Sequence, residues 1–310
     1  MSTPTIHLGL CCINNTLRKN KIFNSRTCIR RTYTVEKAKE LALQNVKDLI
    51  PMIEWNHQHG VKCFRLSSNI FPRFTDSEVE SYTIDFAKPD LKIAGDLAKK
   101  YGIRILMHPA QFNQVGALTA KVFDKTIEEL SHHADILDAM GMDNNSILIV
   151  HGGGVYGDKR KTMTRWVKQF QLLPEKVRAR LVLEHCERCY SLRDVLSISF
   201  TLQKRGHNLP VVFDSHHFDC WEELHPEEKP LKFHRLAPLI VKSWGDRRVL
   251  MHVSNQGDGR VGHHSDFITE FPGYFFFVRD ELGVSFDLEV EAKAKEAAIM
   301  ALRKLHPSLQ

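Results

Sequence analysis

The sequence of 310 residues is 43% hydrophobic, carries a formal net charge of +6 and contains seven cysteines. No segment reaches the ~18 apolar residues of a membrane-spanning helix, and the first residues lack the apolar core of a signal peptide. The scattered, odd-numbered cysteines argue against a disulfide framework. We therefore expect an intracellular protein that is not secreted, either cytoplasmic or nuclear, with no membrane partner. Its basic charge permits a polyanionic partner such as nucleic acid.

Eight short apolar segments are predicted to be β-strands. Most of them are continuous apolar runs, as expected for strands that are covered on both faces. In chain order the predicted strands are 6–10, 61–66, 103–107, 146–150, 180–183, 209–213, 248–251 and 284–290.

Helical segments lie between these strands. The first long one covers residues 35–60, with Thr34 as its N-cap and Gly60 at its end. Pro51 is expected to kink or divide this helix, because proline cannot donate a backbone hydrogen bond. Further helices are predicted at 90–102, 120–141, 159–171, 191–205, 229–243 and 292–305.

The alternation of strands and helices predicts a parallel sheet, because parallel neighbours need helical crossovers. Eight such units in a chain of this length favour a (β/α)8 barrel, the TIM barrel of the α/β class. An open Rossmann-like sheet is the alternative, and it is disfavoured because no Gly-x-Gly-x-x-Gly follows the first strand. No linker or break in composition divides the chain, so we expect one domain over residues 1–310.

Six consecutive predicted strands end in a side chain that can bind a metal ion. These residues are His108, His151, Glu184, Asp214, His252 and Glu291. In a barrel the carboxyl ends of all strands meet at one face, where the active sites of this fold lie. So many acids and imidazoles in one pocket predict a bound cation, because unpaired buried charges are costly. Mixed nitrogen and oxygen ligands fit zinc, manganese or iron, and carboxylates that can bridge suggest two or three ions.

Two histidine doublets lie close to these strand ends. His216 and His217 follow Asp214, and His263 and His264 lie in the loop after the seventh strand. The second doublet, together with His217, could supply a further ion. A solvated loop pair is the alternative interpretation of that doublet.

Two segments have a composition that suits nucleic acid. The loop after the first strand, residues 16–31, contains several basic residues, among them Arg26. Gln111 and Phe112 follow the third strand, and an exposed pair of this kind fits insertion into a base stack. Lys159 is a candidate phosphate contact. The alternatives are a solvated loop, a solvated lysine and an aromatic ring that belongs to the core.

The ordered set of motifs resembles the UV damage endonuclease family, a metal-dependent barrel related to endonuclease IV. The resemblance covers about residues 6–304, and its segments in chain order are GLCCINNTLR, NSRTC, RLSSNIFP, HPAQF, VHGGGVYGDK, LVLEHCER, VVFDSHH, MHVSNQGDGRVGHHSDFI and VEAKAKEAAI. Carried over by position, it implies the metal ligands His108, His151, Glu184, Asp214, His217, His252, His264 and Glu291.

Members of this family cut the DNA backbone immediately 5′ of lesions such as pyrimidine dimers and leave a 3′-hydroxyl. The resemblance therefore implies a DNA repair endonuclease that acts on damaged double-stranded DNA and is a monomer. It also implies two or three divalent ions per chain, with Mn²⁺ favoured over Zn²⁺, Mg²⁺ or Co²⁺. Within the resemblance, Gln111 and Phe112 probe the damaged bases, Asn14 is a further lesion contact, and Leu250 stands where some members have a lysine.

These assignments lead to a hypothesis for catalysis in which Glu184, His108 and His151 are the catalytic ligands. Glu184 is expected to bridge the ions because it lies centrally among the strands. The predicted ion sites are His108 with His151, then Asp214 with His252 and Glu291, and finally His217 with His264. Arg26, Lys159 and Arg260 are expected to bind DNA phosphates.

Two other enzyme classes are alternatives, because their barrel strands also carry acids and histidines. One is an AP endonuclease of the endonuclease IV type, and the other is a sugar isomerase of the xylose isomerase type. The isomerase would not need the basic loop or the pair Gln111 and Phe112. A lesion-binding protein that has lost catalysis would lack ligands, whereas the predicted set is complete.

Overall fold

The computed structural model describes residues 3–309, so residues 1, 2 and 310 of the predicted domain lie outside it. Within that range, parallel strands β1 to β8 close into a barrel in chain order, and β1 pairs with β8. The prediction of a (β/α)8 barrel is therefore confirmed. The strands are β1 Ile6–Cys11, β2 Cys63–Leu66, β3 Arg104–Met107, β4 Leu148–His151, β5 Leu181–Glu184, β6 Val211–Asp214, β7 Val249–Val253 and β8 Phe286–Val290.

Helices surround the barrel and connect its strands. They are α1 Asn15–Lys19, α2 Val35–Lys47, α3 Leu49–Gln58, α4 Lys88–Tyr101, α5 Ala120–Ala139, α6 Lys159–Phe170, α7 Glu175–Arg178, α8 Leu192–Gln203, α9 Ser215–Leu224, α10 Phe233–Trp244, α11 Tyr274–Phe276 and α12 Glu296–Leu305. Among the described residues, no helix is long and apolar enough to cross a membrane.

The long helix that the sequence predicts over residues 35–60 is divided into α2 and α3 at Asp48. Its predicted N-cap is correct, because the side chain of Thr34 accepts a hydrogen bond from the backbone N–H of Lys37. Pro51 lies in the first turn of α3, where the missing N–H is tolerated. Gly60 follows α3 with a φ of +67°, a conformation that glycine adopts without strain.

Helix α9 is absent from the sequence prediction, and it matters for the site. It begins directly after β6, and Asp214 is its N-cap, with Oδ1 accepting a hydrogen bond of 2.8 Å from the backbone N–H of His217. The strand end and the first helical turn are thus fixed by one carboxylate. As a result, both Asp214 and His217 are buried at the end of the barrel.

The strand register places the strand-end residues at one level of the barrel. His151 pairs with Glu184 across β4 and β5, and Asp214 pairs with His252 across β6 and β7. Because the strands are parallel, these side chains share the carboxyl-terminal face, where barrel active sites lie.

Candidate metal centre

Acids and histidines at the carboxyl-terminal ends of the strands form three groups. In each group the potential ligand atoms lie within 4.8 Å of one another. The groups are His108 with His151 and Glu184, then Glu184 with Asp214 and His217, and finally Asp214 with His252 and Glu291. Glu184 and Asp214 each belong to two groups, so the three form one continuous cluster.

Glu184 lies at the centre of this cluster between four imidazole rings. Its Oε2 is 3.1 Å from Nε2 of His108 and 3.6 Å from Nε2 of His151. Its Oε1 is 3.2 Å from Nδ1 of both His217 and His252. The two carboxylate oxygens therefore face different pairs of histidines, which is the arrangement that a bridging carboxylate needs.

The carboxylates of the cluster are held in their charged form. Burial alone would raise the pKa of Glu184, but His151 and His252, together with the other imidazoles, lower that pKa well below its usual value. Burial would also raise the pKa of Glu291, and the nearby Arg65 and His252 lower it. Both side chains are therefore acceptors at neutral pH and can bind a cation.

The histidines fall into two electrostatic classes. Burial lowers the pKa of His151 to about 4, so this ring is neutral at pH 7 and has a lone pair available. Burial also acts to lower the pKa of His217 and His252, but Asp214 and Glu184 outweigh it for His217, and Glu184 and Glu291 outweigh it for His252. Both pKa values are raised well above the usual range. Protons on these rings thus supply part of the positive charge that the acids require.

Buried polar atoms without partners show that the cluster fits metal ions. Among the described residues, Oδ2 of Asp214 and Nδ1 of His151 are buried and have no hydrogen-bond partner. Unpaired polar atoms of this kind are costly in a protein interior. A divalent cation would satisfy Asp214 and replace the protons on His217 and His252, and the mixed nitrogen and oxygen donors suit zinc, manganese or iron.

The second histidine doublet lies outside the three groups found among the described residues. His217 faces Glu184 and Asp214, whereas Nδ1 of His264 lies 2.7 Å from the backbone oxygen of Glu291 and 3.8 Å from its Oε2. In these groups His217 lies beside two acids, and the site formed by His217 with His264 stays a prediction. His216 points elsewhere, with its ring nitrogen 3.5 Å from Sγ of Cys220.

The predicted lesion-probing pair lies in the loop after β3. Gln111 is exposed and Phe112 is 58% exposed, so the aromatic ring does not belong to the core. Phe112 forms one wall of a cleft of ≈ 530 Å³ that Arg73 and Lys125 also line. Because Pro109 directly follows His108, this loop starts at a ligand of the predicted centre.

Two residues that are predicted to contact DNA have partners within the protein. Asn14 is 1% exposed, and its Oδ1 caps α1 by accepting a hydrogen bond of 2.9 Å from the backbone of Leu17. The side chain of Arg26 is 10% exposed, and Nη2 lies 2.7 Å from Oδ2 of Asp48. The structure therefore gives both residues a role in holding the loop after β1, and contact of these residues with DNA stays a prediction.

The other two predicted phosphate contacts are more accessible. Nζ of Lys159 lies 2.6 Å from Oδ2 of Asp194, and its side chain remains 31% exposed. Arg260 is exposed, with Nε 3.2 Å from Nε2 of His263. Both side chains can be reached from solvent, and their contact with DNA phosphates stays a prediction.

Two charged residues at the cluster are missing from the sequence prediction. Nη1 of Arg65, on β2, lies 2.6 Å from Oε1 of Glu291. Oε2 of Glu289, on β8, lies 3.0 Å from Nε2 of His252. The period of two along a strand is a signal for Glu289, since it shares a face with Glu291. Arg65 gives no such signal, because its partners are more than 200 positions away in the sequence.

Comparison with known proteins agrees with this geometry. The model of the family described as UV-endonuclease UvdE matches residues 6–310. The chain belongs to the UvdE family. One relative, from Acanthamoeba polyphaga mimivirus, is 36% identical to this chain over 97% of the chain and 92% of the relative. The UV-damage endonuclease of Schizosaccharomyces pombe is 35% identical over 95% of the chain, which spans 50% of that relative's length.

A solved structure shares the fold over nearly the whole UvdE-family chain. The crystal structure named SacUVDE superposes with a TM-score of 0.82 at 27% identity, covering 97% of this chain and 99% of that one. Family membership and the closed barrel thus rest on independent comparisons of sequence and structure.

Binding of Zn²⁺ is expected to release protons. His217 and His252 have raised pKa values, so they are protonated below those values and must lose their protons before they can bind a metal. Calorimetric titration with Zn²⁺ in two buffers of different ionisation enthalpy measures this release. It should be largest at pH values below the raised pKa values and should decline as the pH rises through them.

Zn²⁺ binding to the variant His217→Gln should release fewer protons at the same pH. Zn²⁺ binding to His263→Gln, which changes an exposed loop position, should release as many protons as binding to the wild type. Zn²⁺ binding without proton release at any pH between 6 and 8 would contradict the assigned protonation.

Proposed function

We propose that this UvdE-family chain is a metal-dependent DNA repair endonuclease. It nicks the backbone of UV-damaged duplex DNA immediately 5′ of the lesion and leaves a 3′-hydroxyl. The observation that carries the proposal is the position of Glu184, buried between four imidazoles and shared by two of the three ligand groups. Membership of the UvdE family and the name of the Schizosaccharomyces pombe relative support the same activity.

The proposed ligands hold two or three divalent ions, with manganese favoured. They are His108, His151, Glu184, Asp214, His217, His252 and Glu291, with His264 beside Glu291. Bound divalent ions supply a water of lowered pKa and stabilise the charge on the attacking and leaving oxygens of a phosphodiester. Glu184, His108 and His151 are the proposed catalytic ligands because Glu184 is shared by two groups and His108 begins the loop that carries Gln111 and Phe112.

The protein's own groups orient the substrate around this centre. Lys159 and Arg260 are positioned to bind DNA phosphates, which gives an affinity that depends on salt and not on sequence. Gln111 and Phe112 insert where the damaged bases leave the stack, and this costs least where the lesion has already weakened stacking. An exposed aromatic ring in the loop that follows His108 suits a DNA substrate better than a free sugar.

Replacing Glu184 with Gln should abolish nicking of UV-irradiated plasmid while leaving DNA binding intact. The amide keeps the shape of the side chain but cannot neutralise the imidazoles or bridge cations. Loss of a group that only supports a ligand costs about 10–100-fold in metal affinity or activity, so loss of this ligand should exceed about 100-fold. Conversion of supercoiled to nicked plasmid measures the effect.

The control for this variant is Glu223→Gln, an exposed position on α9 whose activity should equal that of the wild type. Nicking retained in Glu184→Gln at more than a tenth of the wild-type rate would refute the proposed role of Glu184.

Replacing Phe112 with Ala should weaken binding to damaged duplex more than binding to undamaged duplex. The ring is 58% exposed, so its removal should not change the stability of the fold. Stacking of one base on an aromatic ring is worth about 1–3 kcal/mol, and this sets the expected loss for the damaged duplex. Fluorescence anisotropy with matched damaged and undamaged duplexes measures both affinities.

Leu118→Ala is a matched control, since Leu118 is 62% exposed and lies in the same loop between β3 and α5. It should bind both duplexes as the wild type does. Equal losses for the two duplexes in Phe112→Ala would show that the ring does not read damage.

A further inference from the structure

Strand β8 and the residue after it direct three acids into the barrel, at positions 287, 289 and 291. Their spacing of two follows the period of a strand. Asp287 is the deepest, and its Oδ2 lies 3.1 Å from Nη1 of Arg104. Glu291 belongs to the metal centre. Glu289 lies between these two levels, and the proposed function has given it no role.

Glu289 faces His252 across the pairing of β7 and β8. The two residues are register partners, and Oε2 of Glu289 lies 3.0 Å from Nε2 of His252. Both atoms are buried, and among the described residues neither forms a well-aligned hydrogen bond. The close approach places an imidazole nitrogen and a carboxylate oxygen within hydrogen-bonding distance of each other.

The other nitrogen of the same ring faces the metal centre. Nδ1 of His252 lies 3.2 Å from Oε1 of Glu184, 3.7 Å from Oε1 of Glu291 and 3.8 Å from Oδ2 of Asp214. The ring thus has one nitrogen towards the ligand carboxylates and one towards Glu289. An imidazole that binds a metal is generally oriented in this way, with its second nitrogen donating to a carboxylate, a backbone carbonyl or a water.

The position of Glu289 is itself fixed by neighbours on the first two strands. Nε of Arg65 lies 3.6 Å from its Oε1, and the thiol of Cys11 donates to the same oxygen at 3.6 Å. Gly9 is its register partner on β1, where a Cβ would come within 3.3 Å of Cγ of Glu289 and 3.0 Å of Cβ of Cys63. The lack of a side chain at Gly9 leaves the space that Glu289 occupies.

We propose that Glu289 is a positioning residue of the metal centre. Its carboxylate accepts a hydrogen bond from Nε2–H of His252, which selects one tautomer of the ring and leaves Nδ1 free to bind a metal ion. Arg65 contacts both this carboxylate and that of Glu291, so it helps to fix the position of Glu289. The inference rests on the proposed function, because it requires that His252 binds a metal.

The test compares Co²⁺ binding to wild-type protein and to Glu289→Gln, followed by visible absorption at neutral pH. The substitution removes the charge and leaves the size of the side chain unchanged. We expect the apparent Co²⁺ affinity to fall by about 10–100-fold, the usual cost of losing a carboxylate that orients a ligand. Circular dichroism confirms that the variant is folded.

Asp287→Asn is the matched control. It also removes a fully buried acid from β8, but Asp287 contacts Arg104 and Arg248 and is not a partner of His252 in the strand register. We expect a lower melting temperature with Co²⁺ affinity within about twofold of the wild type. Equal affinity of Glu289→Gln and wild type, or equal losses in the two variants, would overturn the proposal.

A second measurement does not depend on a variant that folds. In wild-type protein loaded with diamagnetic Zn²⁺, ¹⁵N chemical shifts should place the proton of His252 on Nε2, and a proton on Nδ1 would overturn the proposal. A wild-type chain that binds no Co²⁺ would instead refute the proposed function, so the two failures are distinguishable.

Discussion

The site depends on one electrostatic constraint, which is that a buried carboxylate must be surrounded by positive charge. Glu184 is 1% exposed and lies within 3.6 Å of a nitrogen of each of four imidazoles. Asp214 and Glu291 extend the same cluster of acids. Within the described part of the chain, protons on His217 and His252 and the guanidinium of Arg65 balance part of this charge. Divalent cations would balance it more fully, and the constraint therefore links the geometry of the barrel to metal chemistry.

The barrel satisfies this constraint through its register. Parallel strands bring His151 beside Glu184 and Asp214 beside His252, so residues far apart in sequence meet at one level. The N-cap of α9 then turns the chain immediately after Asp214 and brings His217 back to Glu184. The interior below this level continues the pattern, with Glu289 beneath the centre and Asp287 paired with arginines. Acids and bases thus alternate through the depth of the barrel.

Much of this architecture could be predicted from the sequence, because most strands are apolar runs and six consecutive ones end at a metal-capable residue. The observed strand β6, Val211–Asp214, shows why the strand ends were accurate: the apolar run stops where the ligand begins. Helix α9 was not predicted, since Ser-His-His after an acid has no apolar periodicity. Only the helical turn shows that His217 lies beside Glu184 and Asp214.

The remaining differences come from partners that are distant in sequence. Arg26 lies in a basic loop that suggests a DNA contact. Its ion-pair partner is Asp48, which lies in the break between α2 and α3. Asn14 is polar and close to the strand end, but its side chain caps the N-terminus of the short helix α1. Arg65 and Glu289 are brought together by barrel closure, which local patterns do not encode. Single-residue roles in loops were therefore harder to predict than strand-end ligands.

The most direct test of this account is incision of an end-labelled duplex that carries one defined UV photoproduct, with chelator and with added Mn²⁺. The account predicts a single cut immediately 5′ of the lesion with a 3′-hydroxyl end, lost with chelator and restored by Mn²⁺. Incision that continues in excess chelator, or cutting of abasic-site duplex alone, would contradict it.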